Sequence, residues 1–126
     1  MKMVRLFKRK PGLTPEQFRE IYEKEHVPLV ISLMPYFKGY SRKYIQREPG
    51  YELSKEVDYD VVTEVTFASK DDYERTQKLL TDPKIKDQLL ACESRFLDLT
   101  PGNRMGFLVD EENTPAEMFI ANRTSP

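Results

Sequence analysis

The segment Tyr59-Asp60-Val61-Val62-Thr63-Glu64-Val65-Thr66-Phe67 limits most what this chain can become. Valine and threonine branch at Cβ, which costs rotamer freedom in a helix and packs well on a pleated surface. A strand over residues 59–67 follows. Alternate residues of a strand face opposite sides of its sheet. Here Val61, Val65 and Phe67 fall on one side and Val62 on the other. Both faces of the sheet therefore need cover.

The flanking sequence supplies the remaining elements. Val4 to Arg9 reads as a strand ended by Pro11-Gly12. Thr14-Pro15-Glu16-Gln17 is a helix start: a capping threonine, a proline suited to the first helical position, and an acidic residue at the positive end of the helix dipole. Phe18, Ile21, Tyr22, Leu29, Val30 and Leu33 mark one buried helical face, and Pro35 predicts an end near Met34. A second strand is expected from Tyr36 to Arg47, with Lys38, Tyr40, Arg42 and Tyr44 on one parity and Phe37, Gly39, Ser41 and Lys43 on the other. A polar loop with Pro49-Gly50 follows. Ser69 caps a second helix, which pauses at Asp82-Pro83 and resumes through Leu89, Leu90 and Phe96. Pro101-Gly102 is a turn, and Arg104 to Val109 a last strand. The order is β-α-β-β-α-β, the split-βαβ arrangement of ferredoxin-like α+β folds. Four antiparallel strands would carry two helices on one face. A second copy of the chain would cover the other face and close a two-fold dimeric α+β barrel. One domain over residues 1–112 and a polar tail over 113–126, draped on a partner or without structure, complete the expected organisation.

Bulk composition narrows the function classes. With 126 residues, 39% hydrophobic and 33% charged, the chain suits one modest core under a solvated surface. Its net charge is -1, without the basic excess or stripe expected of a nucleic-acid binder. No apolar run reaches the ~18 residues needed to span a bilayer, and charges break up the N-terminus too often for a signal peptide. Cys92 is the only cysteine, so no intrachain disulfide forms. In the helical run Leu89-Leu90-Ala91-Cys92 it reads as a small buried hydrophobe. These features together predict a cytoplasmic protein. Asn122-Arg123-Thr124 matches a glycosylation sequon, read here as a chance match.

Three groups of residues could carry chemistry. His26 is the lone histidine. It lies four residues after Tyr22 and eight after Phe18, on the buried helical face. Pro28 has no N–H, so the carbonyl of Lys24 loses its usual partner and an irregularity beside His26 follows. An imidazole there could move a proton near neutral pH, or could be a satisfied core residue. Tyr40 and Tyr44 share a strand face, where a phenol could hold a ligand carbonyl or take part in ordinary cross-strand packing. Asp60 and Glu64 share a parity on the third strand. Either could orient His26 or act as a base, or could lie at the sheet edge or pair with Arg5, Arg42 or Arg104. One His and one Cys cannot form a His/Cys zinc cluster, and the isolated glycines make no phosphate loop. No metal or cofactor is expected.

Several of these motifs together resemble the EthD-domain family. Lys8-Arg9-Lys10-Pro11-Gly12-Leu13-Thr14-Pro15-Glu16-Gln17-Phe18, then Tyr22 and His26-Val27-Pro28-Leu29, looks like the family's opening. Tyr40 to Tyr44 resembles its tyrosine-bearing second strand, Tyr59 to Phe67 its third, and Glu93-Ser94-Arg95-Phe96-Leu97-Asp98 its closing helix end. The resemblance covers roughly residues 2 to 110. It implies a dimeric α+β barrel and a pocket faced by His26. The wider superfamily contains cofactor-free cyclases, decarboxylases, dehydratases, isomerases and quinol monooxygenases. The cysteine proposed for some of the isomerases has no counterpart in the third strand here.

The resulting expectation is a cofactor-independent lyase or isomerase acting on an aromatic or polyketide-like carbonyl compound, as a homodimer. His26, Tyr44 and Asp60 are the expected catalytic residues: His26 moves the proton, Tyr44 or Tyr40 binds the carbonyl as enolate charge develops, and Asp60 or Glu64 orients the imidazole. Tyr40, Tyr22, Glu64 and Phe7 are the expected substrate contacts. Two rivals stand beside this reading. One is a non-catalytic protein that binds a small hydrophobic ligand and assists an oxygenase pathway. The other is a cofactor-free quinol or anthrone monooxygenase.

Overall fold

A computed structural model describes residues 1–47 and 57–109. The expected polar loop after Arg47 falls largely, and the C-terminal tail with its sequon wholly, outside the described residues. Strand β1 (Lys2–Phe7) is followed by helix α1 (Pro15–Ile21), a wide π turn (Tyr22–His26) and helix α2 (Val27–Leu33). Strands β2 (Phe37–Tyr44) and β3 (Val61–Phe67), helices α3 (Lys70–Leu79) and α4 (Pro83–Phe96), and strand β4 (Arg104–Val109) complete the order. The four strands form one sheet in the order β2-β3-β1-β4, with every pairing antiparallel. The architecture is ferredoxin-like α+β.

The signals that start the helices work as the sequence predicts. The Thr14 side chain accepts from the Gln17 amide while the Gln17 side chain accepts from the Thr14 amide, a reciprocal capping box. Ser69 caps α3 and Asp82 caps α4. The expected single helix from Thr14 to Met34 is instead three segments. The Val27 amide donates to the Tyr22 carbonyl, five residues back. The irregularity argued from Pro28 thus falls one turn before the proline and includes His26.

Strand registers sort the side chains. Phe7, Thr63, Val61, Val65 and Phe67 point to the helices, as do Tyr40, Arg42 and Tyr44. There Phe7, Phe18, Tyr22, Val61, Phe96 and Leu97 form the core cluster. A bulge between Phe37 and Gly39 shifts the β2 register. It turns Phe37 to the helix side, its ring 5.6 Å from Tyr40 and 5.5 Å from Phe67, against the parity expected from simple alternation. Cys92 is half-buried at the edge of this cluster, rather than fully inside it. The opposite sheet face presents Val62 and Leu6 beside Met105 and Phe107 of the edge strand β4, which are 51% and 54% exposed.

Candidate active site

A cavity of about 70 Å³ lies between the helix-side face of the sheet and the helices. Its floor comes from β1 and β3 through Arg5, Phe7 and Thr63, and β2 adds Tyr40. His26 and Tyr22 enter from the π turn, and Glu93 from α4. Apolar side chains, among them Met34, Val65 and Leu89, fill most of the remaining wall.

His26 is 5% exposed. Its ring packs against Tyr22 at 5.5 Å and Phe96 at 4.9 Å. Its Nδ1 is buried and has no hydrogen-bond partner among the described residues. Burial, then the positive charge of Arg5, lowers its pKa to about 4, so the imidazole is neutral at physiological pH. A neutral ring offers one lone pair and one N–H. It can therefore accept a proton from a bound molecule or donate a hydrogen bond to it.

A chain of hydroxyls runs along the same wall. The Tyr40 hydroxyl donates to that of Tyr22 at 3.3 Å, and the Tyr22 hydroxyl lies 2.6 Å from Thr63 Oγ1. Burial raises the pKa of both phenols, which keeps them protonated donors. Ion pairs hold the π turn in place. Arg42 grips Glu23 through Nε and Nη2, at 2.9 and 2.8 Å, and donates from Nη1 to the Tyr40 carbonyl at 2.8 Å. On the next turn face, Glu25 accepts from Arg95 of α4. The turn that carries His26 is thus braced from β2 and from α4.

The other expected residues divide between places. Phe7, Tyr22 and Tyr40 line the cavity with His26. Tyr44 does not: its hydroxyl donates to Glu23 Oε2 at 2.5 Å, and its ring meets Phe18 and the Arg19 guanidinium. It lines a separate cleft of about 470 Å³ with Arg9 and Asp60. Asp60 accepts from the Arg9 amide at 2.8 Å and sits 3.5 Å from Arg47 Nη1. It fastens the start of β3 to the end of β1 and does not reach the imidazole. Glu64 lies on the opposite sheet face with Val62, paired with Lys43 at 2.8 Å. A carboxylate orienting His26 is therefore not supplied by either expected residue.

Two cavity groups escaped the reading of the sequence. Arg5 alternates with Met3 and Phe7 on the helix-side parity of β1. A charge within an otherwise apolar parity was the available signal. Glu93 accepts from Arg104 Nη1 at 2.6 Å. Burial raises its pKa, against the opposing pull of Arg5 and Arg104.

A four-stranded antiparallel sheet with helices on one face, and a histidine-lined cavity between them, make this a ferredoxin-like α+β protein. The EthD domain family model matches residues 10–100, and the chain belongs to that family. It is 28% identical over 100 residues to the conidial pigment biosynthesis dehydratase EthD of Metarhizium robertsii, covering 71% of this chain and 68% of that one. A protein of Arabidopsis thaliana shares its fold at TM-score 0.59 and 17% identity, over 90% of this chain and 97% of the other. An ethyl tert-butyl ether D (EthD) family protein of Bacillus halodurans matches at TM-score 0.54 and 15% identity, over 86% and 96%. A dimeric ferredoxin-like protein of Bacteroides fragilis matches at TM-score 0.51 and 14% identity, over 84% and 90%. No helix among the described residues is long and apolar enough to cross a membrane.

Proposed function

We propose that this protein is a cofactor-independent lyase of the dehydratase kind, with His26 as the group that moves the proton. The observation that carries the reading is a buried, neutral His26 that lines an apolar cavity together with Arg5 and Tyr40. The pigment-pathway dehydratase among its relatives supports elimination of water as the reaction.

The chemistry suits a β-hydroxy carbonyl compound. His26 takes the proton next to the carbonyl, and negative charge develops on the carbonyl oxygen. Arg5 stabilises that charge, joined by Tyr40 once its O–H turns from Tyr22 to the carbonyl oxygen. The electrons then form the new carbon–carbon double bond as the bond to the β-hydroxyl breaks. The departing hydroxyl takes the proton back from His26 and leaves as water. The cavity holds about half the volume of one that accommodates benzene, so a polyketide-sized substrate would insert its reacting end and project through the mouth.

The test is turnover of a β-hydroxy ketone of the reduced-polyketide type, followed by absorbance of the conjugated product. Positioned acid–base help contributes ~10²–10⁴-fold. His26→Gln should lose activity on that scale while keeping its fold. Full turnover by this variant would remove His26 from the chemistry. Oxygen consumption during turnover would instead favour a monooxygenase, and ligand binding without any turnover a carrier role.

We further propose a homodimer formed through the open sheet face. Met105 and Phe107 stand exposed there beside Leu6 and Val62. The Bacteroides fragilis neighbour, which has the same fold, is dimeric.

A further inference from the structure

We infer that Glu93 selects what enters the His26 cavity: an uncharged molecule whose hydroxyl group donates to the open oxygen of this carboxylate. The inference rests on the reading of the cavity as a ligand site and names the class of ligand. It does not require the ligand to react.

Helix α4 delivers the carboxylate. Leu89, Glu93 and Phe96 recur at four and then three residues, so they share one face of that helix. Leu89 and Glu93 line the cavity, and the Phe96 ring packs against that of His26 at 4.9 Å. Glu93 thus puts a charge into an apolar stripe, and its side chain is 13% exposed. Its Oε2 accepts from Arg104 Nη1 at 2.6 Å. Its Oε1 accepts from no group among the described residues, and it is not shut away as His26 Nδ1 is. The hydroxyls of the cavity wall are engaged elsewhere. Thr76 donates to the Asp72 carbonyl, Tyr40 donates to Tyr22, and Tyr22 and Thr63 meet at 2.6 Å. Arg5 pulls on Glu93 through its charge and makes no hydrogen bond to it. A carboxylate oxygen in apolar surroundings is costly to leave without a donor.

Charge decides which donor fits. Arg5 and Glu93 are the charged side chains of the lining, one of each sign. A cationic donor would meet Arg5, and an anion would meet Glu93. A neutral hydroxyl meets neither penalty and makes a hydrogen bond to a charged acceptor, the stronger kind. The same charge says which hydroxyl this is. An oxygen that departs as water must receive a proton, and an ionised carboxylate has none to give. The hydroxyl on Glu93 is therefore one that the ligand keeps, such as a phenol beside its carbonyl.

Phenol, anisole, benzoate and benzylammonium test this. They share a ring and differ in the group it carries: a hydroxyl, the same oxygen without its donor, an anion and a cation. Calorimetry gives the affinities, and the resonance of His26, the lone histidine, reports that the cavity is the site. Phenol should bind more tightly than the other three and should move that resonance. Glu93→Gln keeps an oxygen for Arg104 and turns an amide N–H to the open position. The preference for phenol over anisole should then fall about tenfold or more. A purely structural role for Glu93 would weaken both probes alike and leave their ratio unchanged. If Glu93→Gln does not fold, Glu93→Met takes its place. An unchanged ratio, a charged probe that outbinds phenol, or no binding of phenol would each overturn the inference. Phenol held through Glu93 in a protein that performs no elimination would leave it standing while refuting the dehydratase reading.

Discussion

The amide of Val27 hydrogen-bonds to the carbonyl of Tyr22, one residue further back than an α-helix allows. That bond widens the helix into a π turn at the point where it meets the centre of the sheet. Such turns are uncommon and cluster at functional sites. Here the turn presents Tyr22 to Thr63 and His26 to the cavity, while Glu23 and Glu25 are held from either side. The histidine is part of a local distortion that the rest of the fold keeps in place.

The Glu23–Arg42 pair should therefore matter more than an ordinary surface ion pair. Both side chains are a third exposed or less, and the grip is bidentate. Arg42→Met leaves Glu23 and the Tyr40 carbonyl short of donors. Allowing for solvent screening, we expect a loss of about 1–2 kcal/mol. Chemical denaturation would measure it. Combining Arg42→Met with Glu23→Gln should cost less than the sum of the two single changes.

His26 should give stability a characteristic acid slope. The unfolded chain protonates it near its ordinary pKa of 6.5, and the folded chain only near pH 4. Its contribution is complete above pH 6.5 and falls as the pH drops from 6.5 towards 4, by roughly 3 kcal/mol in all. Arg5 from β1 and Glu93 from α4 face the same cavity, and Tyr22 packs on the ring. Glu93 titrates with the opposite sense, because its pKa is raised. Comparing His26→Gln with wild type across this range isolates the histidine: the variant should lose stability less steeply.

A charge on the open sheet face should disrupt self-association. Phe107 pairs with Val4 across β1 and β4, on the side away from the helices. Phe107→Asp would bury an unpaired carboxylate if two sheets met there. Light scattering at micromolar concentration should give a dimer for wild type and a monomer for the variant, with the monomer's helical content unchanged. A wild-type monomer would reject this interface.

Much of the fold was legible in local signals. Thr14, Ser69 and Asp82 start helices where their side chains can accept from the backbone, and the β-branched run places β3. The site was legible in part. Parity correctly puts Tyr40 and Tyr44 on one face, which the registers show to be the helix side, but parity gives the face and not the depth. Tyr44 stands four residues beyond Tyr40, roughly 13 Å along the strand, and so reaches Glu23 and another cleft. Glu64 shares its parity with Val62, which registers with Leu6 on the open face. Asp60 precedes the strand and is taken up by the Arg9 amide. The bulge at Phe37 leaves no mark in a pattern of alternating residues. Arg5 was passed over because a basic residue in a strand ordinarily faces water.

The π turn also sets how this site can be gained or lost over time. Substitutions at Tyr22 to His26 change what the turn displays but leave its extra residue in place. Deleting one residue from that segment would let the helix close to regular α geometry and rotate everything on one side of the cut. The sheet, the caps and the core cluster could survive such a change, while His26 would swing away from Arg5. For a descendant of this chain, a single lost codon could separate the scaffold from its chemistry more cleanly than any replacement of the histidine itself.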